Sequence, residues 1–187
     1  GYTLTTYLFF QSLDWIRAIK EFIDVPVVVG GVHLSIYARE TLGYPEIDYA
    51  VTGEAERALP DLLNALVKRE DLSLVRGIAF KQHTGSQDPQ VIVTPRASDV
   101  IVDEAPFPAR QLIDNSIYYS FISKYKNFSV FITSRGCPYK CIFCEQGSKA
   151  FRPRSPKNVV DELELCVNEF GIRELDFFDS SFTIQKN

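Results

Sequence analysis

The feature that most constrains this chain is the run Ser134-Arg135-Gly136-Cys137-Pro138-Tyr139-Lys140-Cys141-Ile142-Phe143-Cys144. It sets three of the four cysteines at C-x3-C-x2-C spacing. Positions i, i+4 and i+7 share one face of a helix, but Gly136 and Pro138 oppose a helix here. The preceding Phe128-Ser129-Val130-Phe131-Ile132-Thr133 is aromatic and β-branched, which predicts a strand. After the cysteines, Gly147, Pro153 and Pro156 delay the next helix. The three thiols therefore belong to a loop at the end of a strand.

Three thiols so close together suit a metal. A structural zinc site takes four ligands, commonly in two separated pairs. A 4Fe–4S cluster is normally held by four cysteine thiolates. The fourth cysteine, Cys166, falls on the apolar stripe of a predicted helix and reads as a small core residue. Three local ligands leave one iron of a cube without a protein ligand, and an open position on a metal marks chemistry rather than scaffolding. Two other readings stay open. One is an iron–sulfur electron-transfer protein with a fourth ligand from elsewhere; the other is a zinc-stabilised structural module. Disulfides fit poorly, because three near-adjacent thiols cannot all pair and nothing in the chain looks secretory.

The chain before the cysteines alternates. Residues 12–23 carry helix-period apolar positions, with Ser12 as a candidate N-cap. Val25-Pro26-Val27-Val28-Val29 is a continuous apolar run, as expected of a parallel strand buried on both faces. It ends in Gly30-Gly31, where a backbone or ligand can approach closely at a strand's carboxyl end. Residues 35–42 predict a short helix closed by Gly43, and 47–52 a strand ending in Gly53-Glu54. Residues 55–69 predict a helix with apolar positions at Ala58, Leu59, Leu62, Leu63, Leu66 and Val67. Residues 77–81 and 90–94 predict two strands joined by the polar turn 83–89. Past the cysteines, Ser155-Pro156 opens a helix that Gly171 closes, with Val159, Val160, Leu163, Cys166, Val167 and Phe170 as its stripe. Residues 174–179 predict the next strand. Strand, crossover helix and strand make a βαβ unit.

Arg135-Gly136-Cys137-Pro138-Tyr139-Lys140-Cys141-Ile142-Phe143-Cys144 resembles the signature of radical S-adenosylmethionine (SAM) enzymes, C-x3-C-x-aromatic-C. Val27-Val28-Val29-Gly30-Gly31-Val32-His33 and Asp48-Tyr49-Ala50-Val51-Thr52-Gly53-Glu54 are similar to the second half of the cobalamin-binding domain that precedes many radical SAM cores. Ala105-Pro106-Phe107-Pro108-Ala109-Arg110 resembles the Pro-x-Pro-Ala-Arg connector of the same family. The fold class implied is α/β: the C-terminal half of a Rossmann-like cobalamin-binding-type domain, then the opening βαβ of a partial (β/α)6 radical SAM barrel. The implied domains are 1–69 (cobalamin-binding type), 70–126 (connector with the β-hairpin) and 127–187 (radical SAM core). Both ends read as cut from a longer chain, and the chain contains no methionine.

The resemblance implies Cys137, Cys141 and Cys144 as ligands of a 4Fe–4S cluster whose open iron binds SAM. It implies Phe143 and Asp179 on the SAM side, and Gly30, Gly31, Gly53 and Glu54 beside cobalamin. Asp179-Ser180-Ser181-Phe182 departs from the family's Gly-Gly-Glu and is closer to an Asp-Asp-Thr/Ser-Phe variant. The motif Asp-x-His-x-x-Gly, whose histidine can ligate cobalt in the family, does not occur, and His33 is expected in a structural role. The implied reaction is SAM cleavage for radical chemistry at an unactivated carbon, with methyl transfer the modal case. The implied partners are a small-molecule substrate and a reductant such as ferredoxin or flavodoxin.

Composition excludes other classes. A net charge of −4 offers no basic footprint for nucleic acid. No apolar run approaches the roughly 20 residues of a membrane span, and the start has no charged n-region of a signal peptide. A cytoplasmic location is the expectation.

Overall fold

The computed structural model describes residues 1–83, 85, 88–144 and 150–184. Thr84, Ser86 and Gln87 of the expected hairpin turn, and Gly147, lie outside the described residues. Two compact units divide the chain, Gly1–Val100 and Ile101–Asn187.

The first unit runs β1 (Tyr2–Thr3), α1 (Phe9–Phe22), β2 (Val28–Gly30), α2 (Leu34–Leu42), β3 (Tyr49–Val51), α3 (Ala55–Lys68), β4 (Ile78–Gln82) and β5 (Gln90–Val93). These strands form one sheet in the order β1-β2-β3-β4-β5. The first three are parallel, with Val28 opposite Tyr49 and Val29 opposite Ala50. The last two are antiparallel, with Val51 opposite Ile78 and Ala79 opposite Val93. The hairpin expected in the connector is thus the antiparallel edge of the first sheet.

Side chains on successive strand residues point to opposite faces, and the two cores obey that rule. Val29, Ala50 and Ala79 join Leu13 and Ile16 of α1 and Leu34 and Leu42 of α2 in one core. Val51, Ile78 and Phe80 join Ala58 and Leu62 of α3 in the other. With helices against both faces, the apolar run at Val27–Val29 has burial on either side, as its composition requires.

One helix start and one helix face differ from the sequence expectation. Helix α1 begins at Phe9, and Ser12 is a buried interior residue rather than the N-cap. The turn that starts the helix uses backbone groups, with Leu8 N–H donating to Thr5 C=O and Phe9 N–H to Thr6 C=O. The apolar stripe of α3 is also wider than its buried face. Leu63 is half exposed and Val67 faces solvent, while Ala58, Leu62 and Ala65 are buried.

The second unit contains β6 (Phe128–Phe131), α4 (Pro156–Phe170) and β9 (Glu174–Phe177). Strands β6 and β9 pair in parallel, Phe128 opposite Glu174 through Phe131 opposite Phe177, so the expected βαβ unit is present. The caps of α4 match the sequence. Ser155 Oγ accepts from Asn158 N–H at 3.2 Å, Pro156 holds the first turn, and Gly171 closes the helix at φ +61°. Phe131, Cys166 and Ile172 form the core of this unit. Between β6 and α4 a short pair, β7 (Ser134–Arg135) and β8 (Arg152–Pro153), runs antiparallel.

Leu62→Ala, in a fully buried position, should cost about 2–5 kcal/mol of unfolding free energy. Val67→Ala on the same helix should change it by about 0.5 kcal/mol or less. Urea denaturation of the two variants checks this, and equal losses would contradict the assignment of the α3 faces.

Candidate cofactor site

The cysteine loop leaves β6 at its carboxyl end and returns through β8. The β7–β8 pairing, Ser134 opposite Pro153 and Arg135 opposite Arg152, closes its neck. Gly136 follows at φ +78°, a left-handed conformation that favours glycine. Cys137 is partly buried, and Cys141 and Cys144 are exposed. Cys144 N–H donates to Cys141 C=O at 3.0 Å, a tight turn that puts those two residues near one another along the chain. Phe143, expected beside SAM, is 90% exposed.

All three are free thiols, the right donor type for an iron–sulfur cluster. Among the described residues, no three or more His, Cys, Asp or Glu side chains are gathered closely enough to hold a metal ion. The loop therefore presents a fitting donor set without a preformed cage. Cys166 is elsewhere, in the α4 core, where burial pushes its thiol up from the ordinary value. That agrees with its reading as a core residue.

Asp179, the other expected SAM contact, lies just past β9 and bonds to the chain itself. Its Oδ1 accepts from Thr133 N–H at 3.0 Å, Thr133 Oγ1 at 3.0 Å and Ser134 Oγ at 2.6 Å. Its Oδ2 lies 3.1 Å from the same Thr133 amide. The carboxylate thus fastens the end of β6 to the end of β9, immediately before the cysteines.

A second fastening was not read from the sequence. Glu162 of α4 is buried at 3% exposure between two arginines. Its Oε1 is 2.7 Å from Arg110 Nη1 and its Oε2 is 2.6 Å from Arg154 Nη1. The Arg110 guanidinium also lies over the Phe131 ring at 4.9 Å. Arg154 donates to Ile132 C=O at 2.9 Å and to Asn158 Oδ1 at 2.6 Å. The available signals were Arg110 at the end of the connector motif and a glutamate four residues before the buried Cys166, on the same helix face.

In the first unit the expected glycines sit at carboxyl ends of parallel strands, and they are not equivalent. Gly31 has φ +102°, and a Cβ there would come within 2.6 Å of Leu4 O. Gly30 has open space where its Cβ would be, with nothing within 4 Å. Gly31 is required by the turn, whereas Gly30 leaves the strand end open to close approach. Gly53 follows β3 at φ +92°. Glu54 Oε2 accepts from Val100 N–H at 3.1 Å, so this carboxylate holds returning chain. His33 is buried, stacks on Phe9 at 4.6 Å, and its Nδ1 lies 3.0 Å from Thr6 Oγ1. Burial pushes its imidazole below the ordinary value, against the opposing pull of Glu40. This is the structural role expected of it.

Comparison with known proteins addresses the two halves together. The B12 binding domain family matches residues 1–63. An uncharacterized methyltransferase of Pyrococcus horikoshii is 33% identical over the whole of this chain, which spans 40% of that relative. An anaerobic magnesium-protoporphyrin IX monomethyl ester cyclase of Cereibacter sphaeroides is 33% identical over 85% of the chain and 26% of its own length. Residues 1–63 thus match a B12 binding domain, and the chain as a whole is similar to these enzymes.

Solved structures share the fold. The radical SAM methyltransferase TsrM of Kitasatospora setae, solved with tryptophan and a SAM analogue, superposes with a TM-score of 0.64. It is 24% identical, over 95% of this chain and 34% of its own. The cobalamin-dependent SAM radical enzyme OxsB, solved with aqua-cobalamin and SAM, gives 0.70 at 23% identity, over 96% of this chain and 25% of its own.

Gly31→Ala should lower stability by about 1–3 kcal/mol, because alanine at positive φ is strained and its Cβ meets Leu4 O. Gly30→Ala should shift it by less than about 1 kcal/mol. Denaturation midpoints of the two variants separate the turn glycine from the open one.

His33 supplies a pH dependence. Its folded pKa is lowered, so the unfolded state binds the proton more readily. Stability is therefore full above the unfolded value of about 6.5 and falls as pH drops through that value towards the lower folded one. Thermal melts from pH 8 to 5.5 should show this decline, and His33→Gln should flatten it. A slope unchanged by the substitution would contradict the buried neutral imidazole.

Proposed function

We propose that this chain is part of a radical SAM enzyme that combines a 4Fe–4S cluster, SAM and cobalamin to modify an unactivated carbon, methyl transfer being the favoured reaction. The observation that carries this reading is the cysteine loop. It puts three free, unpaired thiols at the carboxyl end of the first strand of a parallel βαβ unit, in the same chain as a sheet that matches the B12 binding domain family. Relatives such as the cobalamin-dependent radical SAM methyltransferase TokK of Streptomyces tokunonensis, 25% identical over 94% of the chain, support it. The chain spans only about a quarter to two fifths of such relatives, so the reaction belongs to the whole protein.

The residues divide the work. Cys137, Cys141 and Cys144 would hold the cluster, with three irons bound to protein and the fourth open to SAM. When bound, the cluster supplies the electron that cleaves SAM, and cobalamin carries the methyl group. Phe143, exposed between the second and third thiols, is free to lie against the adenine of SAM. Gly30 would let the cobalamin tail pass close to the backbone at the end of β2, with Gly31 holding the turn beneath it and Gly53 and Glu54 shaping the neighbouring strand end. Asp179 would act on SAM through the strand ends that it fastens. A ferredoxin- or flavodoxin-type reductant would supply the electron, and a small molecule would be the substrate. Among the described residues, no helix is long and apolar enough to cross a membrane. Three thiols that must stay reduced suit the cytoplasm.

Anaerobic reconstitution of the intact protein with iron and sulfide, followed by EPR of the reduced form with and without SAM, tests this. The expected result is a 4Fe–4S signal that shifts when SAM is added. Cys137→Ala, Cys141→Ala or Cys144→Ala should each abolish the signal, while Cys166→Ala should retain it. A cluster indifferent to SAM would favour an electron-transfer protein, and zinc in place of iron a structural module; either would overturn the proposal.

A further inference from the structure

We propose that Glu162 is a positioning residue for the cysteine loop: its buried carboxylate bridges Arg110 and Arg154 and so sets the geometry of the loop's neck. The proposal rests on the reading of that loop as the cluster site.

The argument begins with burial. A carboxylate at 3% exposure is costly unless paired and hydrogen-bonded. Glu162 has a guanidinium on each oxygen, at 2.7 and 2.6 Å. Well-packed apolar side chains often stabilise a core at least as well as buried ions do, so stability alone does not account for the arrangement. What ions add is direction. Arginine presents a planar fork of donors with fixed angles, and Arg154 uses the whole of it. Nη1 reaches Glu162 and Ile132 C=O, Nε reaches Asn158 Oδ1, and Nη2 reaches Asn158 C=O at 3.2 Å. The Arg154 backbone N–H also donates to Thr133 C=O at 2.8 Å. One residue on the returning side of the loop thus holds two successive carbonyls on the outgoing side.

Asp179 grips the same place from β9, through Thr133 and Ser134. Among the described residues, carboxylates on α4 and past β9 both hold the neck. Arg110 adds the connector, held by Glu162 and by the Phe131 ring. Beyond the neck the cysteines are not gathered among the described residues. The direction in which the loop leaves its neck then decides where three thiols can converge.

The test uses the intact protein with Glu162→Gln, which keeps shape and loses charge, and Arg154→Lys, which keeps charge and loses the fork. Asp161→Asn, in the exposed Lys157–Asp161 pair of the same helix, is the control. Two quantities are read. One is amide hydrogen exchange over 132–135 and 152–154 in cluster-free protein; the other is the rate of cluster loss to a chelator after reconstitution. Folded variants should exchange faster at those amides and lose the cluster about 10- to 100-fold faster, the range seen when groups that orient metal ligands are removed. The control should match wild type.

Folded variants with wild-type exchange at the neck would overturn the proposal. If Glu162→Gln does not fold, Arg154→Lys decides by the same readings. Failure of both to fold would also overturn it, since the triad would then be a stability element alone. If wild type takes up no cluster, the proposed function falls, while exchange in the cluster-free protein still decides whether Glu162 sets the neck.

Discussion

Parallel strand pairing is the constraint on which both units depend. Two parallel strands cannot be joined by a tight turn, so each pair needs a crossover that returns the chain to the same end of the sheet. All carboxyl ends then lie along one edge. In the first unit β1, β2 and β3 obey this, and Gly30-Gly31 and Gly53-Glu54 fall at the carboxyl ends of β2 and β3. In the second unit β6 and β9 obey it, and the cysteine loop and Asp179 fall at their carboxyl ends. Open α/β sheets bind ligands at this edge because the backbone there is freed from ladder bonding and can turn towards a ligand. Every residue assigned to a cofactor in this chain occupies such a position, within its own unit.

The sequence was legible where one physical cause dominates. Val27–Val29 is apolar on both faces, and helices cover both. The caps of α4 were readable because Ser155, Pro156 and Gly171 each solve a local backbone problem at a helix end. The three cysteines were readable because Gly136 and Pro138 leave few alternatives to a loop. Legibility failed where tertiary context decides. Strand β1 is two residues long, too short to show a period. Val160 and Val167 sit on the apolar stripe of α4 yet are half or more exposed, whereas Glu162 is buried. Hydropathy ranks those residues in the wrong order because it cannot see that Arg110, far back in the chain, supplies the countercharge. The sequence likewise could not separate Gly30 from Gly31. One is fixed by a left-handed turn and a nearby carbonyl, and the other by nothing the protein itself places there.

The cysteine loop shows how a firm frame and an ungathered donor set can coexist. Holding three thiols at cluster distance without a metal would desolvate polar sulfur and, once thiolates formed, set like charges against one another. Among the described residues no side chains are gathered to hold a metal, and the binding free energy of a metal can offset both terms. What the chain can fix in advance is everything up to the neck, where amides, carbonyls, carboxylates and guanidinium groups bond at ordinary distances. The order of structure along this stretch follows from that division. The strand end, neck and helix cap are each held by protein partners, and the three cysteines stand between them as free thiols. On the proposed reading a cluster would supply the charge that gathers them, and Asp179 and Glu162 hold the two chain segments from which the loop springs.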